Sequence, residues 1–243
     1  MLARLGDVKD PESVTMLAPF LADETLSAEA AAATLSIVEA FIPARCQDAR
    51  PPLERVLAAP RTPEIRQRAE LALKRLEEIE SFVTDWWVAG PYTHAARTGQ
   101  ELFDQPFPPE EPGATGIAWR KQPLADDPNG LWAMDLHATM PGDHRAGYLW
   151  TRVYSPKTQP VRLDIGSDDG VKVWLNGKVV HSNNALRGLE PGADKIDIAL
   201  NEGWNTLLLK VTNNDGAWSA CAAIRTPAGG KPAGVYAAAG EVP

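Results

Sequence analysis

The sequence predicts an α+β protein of two regions, a helical N-terminal part followed by an antiparallel β-sandwich. Three observations carry this. All eight tryptophans fall from Trp86 onward, while the first eighty residues are rich in Ala, Leu, Glu and Arg. The early region spaces its apolar residues at helical period and punctuates them with start signals. The later region contains Gly166-Ser167-Asp168-Asp169-Gly170-Val171-Lys172-Val173-Trp174-Leu175-Asn176-Gly177-Lys178, which reads as turn, strand and tight turn. Val171, Val173 and Leu175 alternate with Lys172 and Trp174, the period of a half-buried strand. Asn176-Gly177 supplies the two positive-φ residues that a type I′ hairpin turn requires.

Four helices are expected first. Asp10-Pro11-Glu12 is a start signal, with Asp as N-cap and Pro at the first helical position, and Val14, Leu17, Ala18 and Leu21 form its apolar stripe. Thr25 or Ser27 opens a second helix through Ala31, Leu35, Val38 and Phe41, ended by Pro43. Pro51-Pro52 opens a third with Leu53, Val56 and Leu57. Arg61-Thr62-Pro63-Glu64 opens a fourth, in which Ile65, Ala69, Leu73, Leu76 and Ile79 keep helical period. The two helix pairs are alike at an offset of roughly 36–38 residues, near the period of helical solenoids; a plain four-helix arrangement fits equally well.

In the β region, Trp86-Trp87-Val88-Ala89 is a strand stopped by Gly90-Pro91. Trp86 and Trp87 point to opposite faces. A Pro-rich stretch including Phe107-Pro108-Pro109-Glu110-Glu111-Pro112 is expected to wrap the sandwich surface. Short strands are expected at 117–120, 131–137, 147–154, 161–165, 171–175, 178–181, 195–200, 206–212 and 217–224, separated by Gly, Pro, Asn and Asp. Gly203-Trp204-Asn205 reads as a turn, with Trp204 closing the sandwich end and Asn205 bonding backbone. The Gly, Ala and Pro after residue 226 read as a loose tail. The organisation is a helical region at 1–82, a sandwich at 83–226 and a tail at 227–243.

A net charge of −8 argues against nucleic acid, which needs a basic face, and against an anionic membrane surface. No run approaches the roughly 18 apolar residues of a membrane span. Cys46 and Cys221 read as isolated thiols, because two cysteines alone do not make a four-ligand zinc site. Residues 1–7 lack a signal-peptide pattern and read as the end of a helix capped by Gly6, as in a piece of a longer chain. His94, His137, His144 and His181 are scattered without metal spacing, and neither a nucleophile elbow nor a phosphate loop is present in the sequence. No enzyme is expected.

Several further motifs occur in a fixed order: Trp87-Val88-x-Gly90-Pro91-Tyr92, Phe103-Asp104-x-x-Phe107-Pro108-Pro109-Glu110, Trp119, Gly166-Ser167-Asp168-Asp169-Gly170, Trp174-Leu175-Asn176-Gly177-Lys178, and Gly203-Trp204-Asn205-x-Leu207-Leu208-x-Lys210-Val211. Across residues 85–225 this order resembles the galactose-binding-like jelly roll, including the sugar-binding domain of family 2 glycoside hydrolases. Asp168-Asp169-Gly170-x-x-x-Trp174 also resembles the PA14 domain, and Thr62-Pro63-Glu64-Ile65-Arg66 onward resembles the second helix of a HEAT repeat. The resemblance implies a non-catalytic, glycan-binding module beside a HEAT-like scaffold, in a periplasmic or extracellular multidomain protein. It also implies a calcium ion held by Asp168 and Asp169.

The candidate ligand-binding residues are Asp168, Asp169, Trp174, Asn183, Asn184 and Arg187. The two aspartates suit a hard cation, but equally an Asx-type turn that opens the strand. They do not suit a glycosidase pair, since adjacent strand residues face opposite ways and such acids flank one bond about 5–10 Å apart. Trp174 falls on the face opposite Val171 and Val173, where an exposed indole would stack on a sugar ring; a covering segment would remove that role. The loop Ser182-Asn183-Asn184-Ala185-Leu186-Arg187-Gly188 offers amides and a guanidinium of the kind that pair with sugar hydroxyls. The alternative is a spacer that packs on a neighbouring protein domain and takes no small ligand.

Overall fold

The structure is a computed structural model that describes residues 10, 12–23, 25–42, 46–59, 62–95, 97–122 and 132–241. The expectations for residues 1–6, Pro11, Pro43, Arg61, Leu131 and the Cys46 side chain lie outside them. The described residues divide into two compact units, one ending at Glu80 and one beginning at Ser81. The protein is α+β, its β-rich part built from two antiparallel sheets.

In the helical unit, α1 (Ser13–Leu17) tightens into a 3-10 turn at Ala18–Ala22, because Pro19 brings no N–H to the α ladder. Before α2 (Ser27–Phe41), Asp23 Oδ1 accepts the backbone N–H groups of Thr25 at 2.8 Å and Leu26 at 3.0 Å. α3 (Cys46–Ala58) starts earlier than expected, with Pro51 and Pro52 inside it rather than at its head. The proline rings hold φ near the helical value, so the helix runs through them despite the two lost donors. α4 (Pro63–Glu80) buries Ala69, Ala72, Leu76 and Ile79, the stripe its period predicts. Arg50 of α3 bonds Glu80 of α4 at 2.7 Å, and Arg68 of α4 bonds Glu39 of α2 at 2.7 Å.

The second unit is a β-sandwich. Its larger sheet has the order β2-β1-β4-β9-β6-β7, from Arg120–Gln122, Trp86–Tyr92, Arg145–Ser155, Gly203–Asn213, Val171–Leu175 and Lys178–Asn183. The smaller sheet runs β3-β10-β5-β8, from Met134–Asp135, Ser219–Arg225, Gln159–Asp168 and Asp194–Leu200. Leu149, Val173, Leu209 and Val211 from the first sheet meet Leu163, Ile165, Ala222 and Ile224 from the second in a common core. Trp86 joins this core while Trp87 is only half buried, as their alternation requires. Asn176 and Gly177 turn at φ 50° and 75° between Leu175 and Lys178, the two-residue hairpin read from the sequence.

Several strand expectations are corrected. β1 runs through Gly90-Pro91 to Tyr92 rather than stopping there, and the strand expected at 117–120 lies at Arg120–Gln122. Among the described residues of the stretch 131–137 the strand is the two-residue β3, because Asp135 Oδ1 accepts the Ala138 N–H at 2.8 Å and starts a one-turn helix, α5 (Leu136–Thr139). Gly203 and Trp204 belong to β9 rather than to a turn, paired with Ser155 and Tyr154 of β4. Asn205 does bond backbone as expected, donating to the carbonyl of Asn201 at 2.9 Å and accepting the Asn201 N–H at 2.9 Å.

The segment after β1 lies across the outer face of the larger sheet. A capping box of Thr98 and Glu101 starts a short helical turn at Gly99–Leu102, and Lys172 reaches Asp104 at 2.7 Å. The C-terminal segment is docked, not loose. Tyr236–Ala237 forms β11, paired with Tyr154 and Val153 of β4. Ala238 N–H then bonds the Arg152 carbonyl and Ala239 N–H bonds Asp85, each closing backbone that would otherwise fray.

Candidate functional site

The Asp168-Asp169 corner joins β5 to β6 through a cis peptide. Asp169 is 8% exposed, and both of its carboxylate oxygens are engaged. Oδ1 accepts the Arg187 N–H at 3.0 Å and Oδ2 accepts the Asn214 N–H at 2.7 Å. One side chain therefore clamps the 184–193 loop to the end of β9. Asp168 is half buried; burial, with Asp169 and Asp215 alongside, pushes its carboxyl up to about 6.

The polar loop residues turn toward the protein. Asn183 donates to Asp194 at 2.8 Å, and Arg187 donates to Ser167 Oγ at 2.7 Å and to Asp194. Burial works to raise the Asp194 carboxyl, but the bonds from Arg187 and Asn183 prevail and hold it below the usual carboxylate range. Asn184 donates to the Gln100 carbonyl at 3.1 Å. The structure thus brings Asn183 and Arg187 together at Asp194, with Asp169 on the Arg187 backbone, and these hydrogen bonds hold the loop itself. Trp174 is only 7% exposed, so of the two readings left open for it the covered one holds and there is no open indole platform on β6. Its face is covered, as strand position alone does not reveal.

Calcium takes six to eight oxygens from several carboxylates and carbonyls. Asp169 has already committed both oxygens to backbone amides, and among the described residues no three of His, Cys, Asp and Glu gather as a metal site. The side chains at this corner do not fit the ion that the resemblance implies.

A different surface carries exposed rings. On the outer face of the larger sheet, Trp204, Tyr154 and Tyr236 stand in register across β9, β4 and β11. Tyr154 lies 5.4 Å from Trp204 and 5.3 Å from Tyr236, and Trp204 meets Tyr236 nearly edge-on at 5.7 Å. Trp204 is 46% exposed and Tyr236 50%. The Arg152 guanidinium lies 4.8 Å over the Trp204 ring. Sequence reasoning missed this group. Extending the alternation of Leu207 and Leu209 back to Asn205 would have placed Trp204 on the outer face; a two-residue strand among Gly, Ala and Pro gives no comparable signal for Tyr236.

A cleft of about 370 Å³ opens between β7 and β8, lined by Leu175, Val180 and Ile198 with Lys178, Asp197 and Asn201 among its polar groups. A second, of about 310 Å³, lies beside Gly90, Tyr92 and Pro108.

No family model and no curated protein matches this chain. Among solved structures it is similar to an anti-sigma factor domain-containing protein from Clostridium clariflavum, with 16% identity over 35% of this chain and 29% of that one, at a TM-score of 0.30. The chain spans 38% of a second anti-sigma factor domain-containing protein, at 15% identity over 46% of this chain and a TM-score of 0.36. It is also similar to the PA14 domain of the MpAFP antifreeze protein, with 14% identity over 67% of this chain and 76% of that one, at a TM-score of 0.34. For a family 35 carbohydrate binding module from Clostridium thermocellum the values are 17%, 33%, 71% and 0.26. At TM-scores this low the likenesses carry no argument about ligand or activity.

Proposed function

We propose that the β-sandwich unit is a non-catalytic carbohydrate-binding module that takes its glycan on the outer face of the larger sheet. The observation that supports this is the exposed ring group of Trp204, Tyr236 and Tyr154. Pyranose rings present an apolar C–H face, and an exposed aromatic ring offers that face a matching surface while its edge leaves the hydroxyls in water. Trp204 and Tyr236 stand nearly perpendicular at 85°, which makes a corner rather than a flat floor. A corner of this kind holds one or two rings of a soluble chain, with one ring face stacked and one edge buttressed.

On this reading the sandwich is a galactose-binding-like, PA14-like jelly roll and the four helices are HEAT-like hairpins, both parts of a larger periplasmic or extracellular protein. The acidic balance of the chain disfavours nucleic acid, and no helix of the described residues is long and apolar enough to cross a membrane. The spacer reading is favoured by one observation, the commitment of Asn183, Asn184 and Arg187 to internal bonds.

Affinity electrophoresis through gels containing single polysaccharides separates the two. The module reading expects retardation by at least one polysaccharide, lost in Trp204→Ala and unchanged by EDTA. Free migration in every gel, neutral and acidic alike, leaves only the spacer.

A further inference from the structure

We infer that the saccharide taken at Trp204 and Tyr236 carries an oxyanion, a carboxylate or a sulfate, and that Arg152 is the residue that selects it; this rests on the carbohydrate reading above. The argument begins with charge. The chain has 32 acids against 24 Lys and Arg, so a cation in this protein has acids in excess to choose from. The other half-buried arginines of the sandwich show this. Arg162 and Arg225 both meet Asp164, at 2.6 and 3.2 Å, and Arg187 meets Asp194. Arg145 donates to the carbonyls of Pro141 and Asp143.

Arg152 differs. It stacks 4.8 Å over Trp204, yet neither a carboxylate nor a carbonyl partner for its guanidinium exists among the described residues, and its Nε is buried without a partner. The guanidinium nonetheless packs closely against the C-terminal segment. Gly240, at φ +61°, backs against it so closely that a Cβ there would collide with Nη2. The Ala238 N–H bonds the Arg152 carbonyl and anchors the same strand position. A planar, permanently charged fork beside exposed rings, and with no counter-charge among the described residues, is arranged for an anion that arrives from outside. Guanidinium binds carboxylate and sulfate through two parallel N–H···O bonds, so it reads the substituent while the rings read the sugar face.

The test compares binding to polygalacturonate, dextran sulfate, neutral dextran and unsubstituted galactan by isothermal titration and gel retardation. Wild-type protein is expected to bind at least one acidic polymer about tenfold or more tightly than the neutral ones, the scale of a hydrogen bond to a charged group. That preference should shrink as NaCl rises from about 0.05 to 0.5 M, as ionic contacts do. Arg152→Gln should abolish the preference, while Trp204→Ala should weaken binding to acidic and neutral polymers alike. Preference for polygalacturonate over dextran sulfate assigns the carboxylate, and the reverse assigns the sulfate. Equal wild-type binding to acidic and neutral polymers, or a salt-insensitive preference, overturns the inference and leaves the carbohydrate reading standing. So does an Arg152→Gln protein that loses neutral and acidic binding alike, since Arg152 would then only prop the indole. Absence of binding to all four polymers removes both.

Discussion

Lys210 and Glu110, a hundred residues apart in the chain, meet at 2.9 Å on the outer face of the larger sheet. Lys210 is fully buried, and burial holds its ammonium below the ordinary lysine range. Tyr148 donates its hydroxyl to the same carboxylate, and the rings of Phe107 and Tyr148 lie 5.1 and 5.8 Å from the ammonium. The Pro-rich segment is thus fastened by a buried charge pair rather than by apolar contact alone.

An order of stabilities follows from that pair. Glu110→Ala leaves the Lys210 charge buried without its counter-ion and should cost about 3 kcal/mol. Lys210→Met removes the fully buried charge and keeps the volume; the Glu110 carboxylate it leaves behind is partly exposed to water and keeps the Tyr148 hydroxyl, so the cost should be smaller, about 1–2 kcal/mol. Urea denaturation of the two variants decides the matter, and a Lys210→Met protein less stable than Glu110→Ala would refute the account.

Asp169 should behave as a loop clamp. Asp169→Ala strands the N–H groups of Arg187 and Asn214, and two lost charge-assisted bonds should cost about 2–4 kcal/mol. Limited proteolysis should find new cuts within the 184–193 loop. Calcium at saturating concentration should move the melting temperature of the wild type by less than about 1 °C, because a ligand that does not bind the native state cannot shift it.

The raised carboxyl of Asp168 sets a pH dependence. The folded protein holds this proton up to about 6, against 3.8 for an ordinary aspartate. Between those values the folded state binds more protons than the unfolded one, so this residue's contribution to stability falls as pH rises from about 4 to 6. Asp168→Asn mimics the protonated form. It should stabilise the protein by about 1 kcal/mol at pH 7.5, a figure reduced for partial exposure, and by nothing below pH 4. Melting curves across that range are the measurement, and an equal effect at both ends would rule out titration as its cause.

Truncation after Val235, which keeps that core side chain, removes β11, the Tyr236 ring and the bonds of Ala238 and Ala239. Stability should drop by about 1–3 kcal/mol, for three or four backbone bonds and one aromatic contact. Tyr236→Ala should leave stability within about 1 kcal/mol, as at other exposed sites, yet reduce glycan retention as truncation does. Retention that survives Tyr236→Ala would place the ligand elsewhere.

What the sequence by itself determined is local. Alternation assigned the faces of Val171, Lys172 and Val173, Asn176-Gly177 set a two-residue turn, and helical spacing marked the buried stripe of α4. Each of these depends on backbone preference within a few residues, where one amino acid constrains the next. Only the tertiary structure decided who meets whom. Asp168-Asp169-Gly170 pointed to a cation by its composition, yet Asp169 is committed to Arg187 and Asn214, amides delivered by two distant loops. Trp174 has the outward position of a platform and is covered, while Trp204, expected at a turn, lies open in a strand beside Tyr236 from the C-terminal segment. Those outcomes depend on the register of strands far apart in the chain. Pairing across such distances is selected by the whole core at once, and no window of neighbouring residues encodes it.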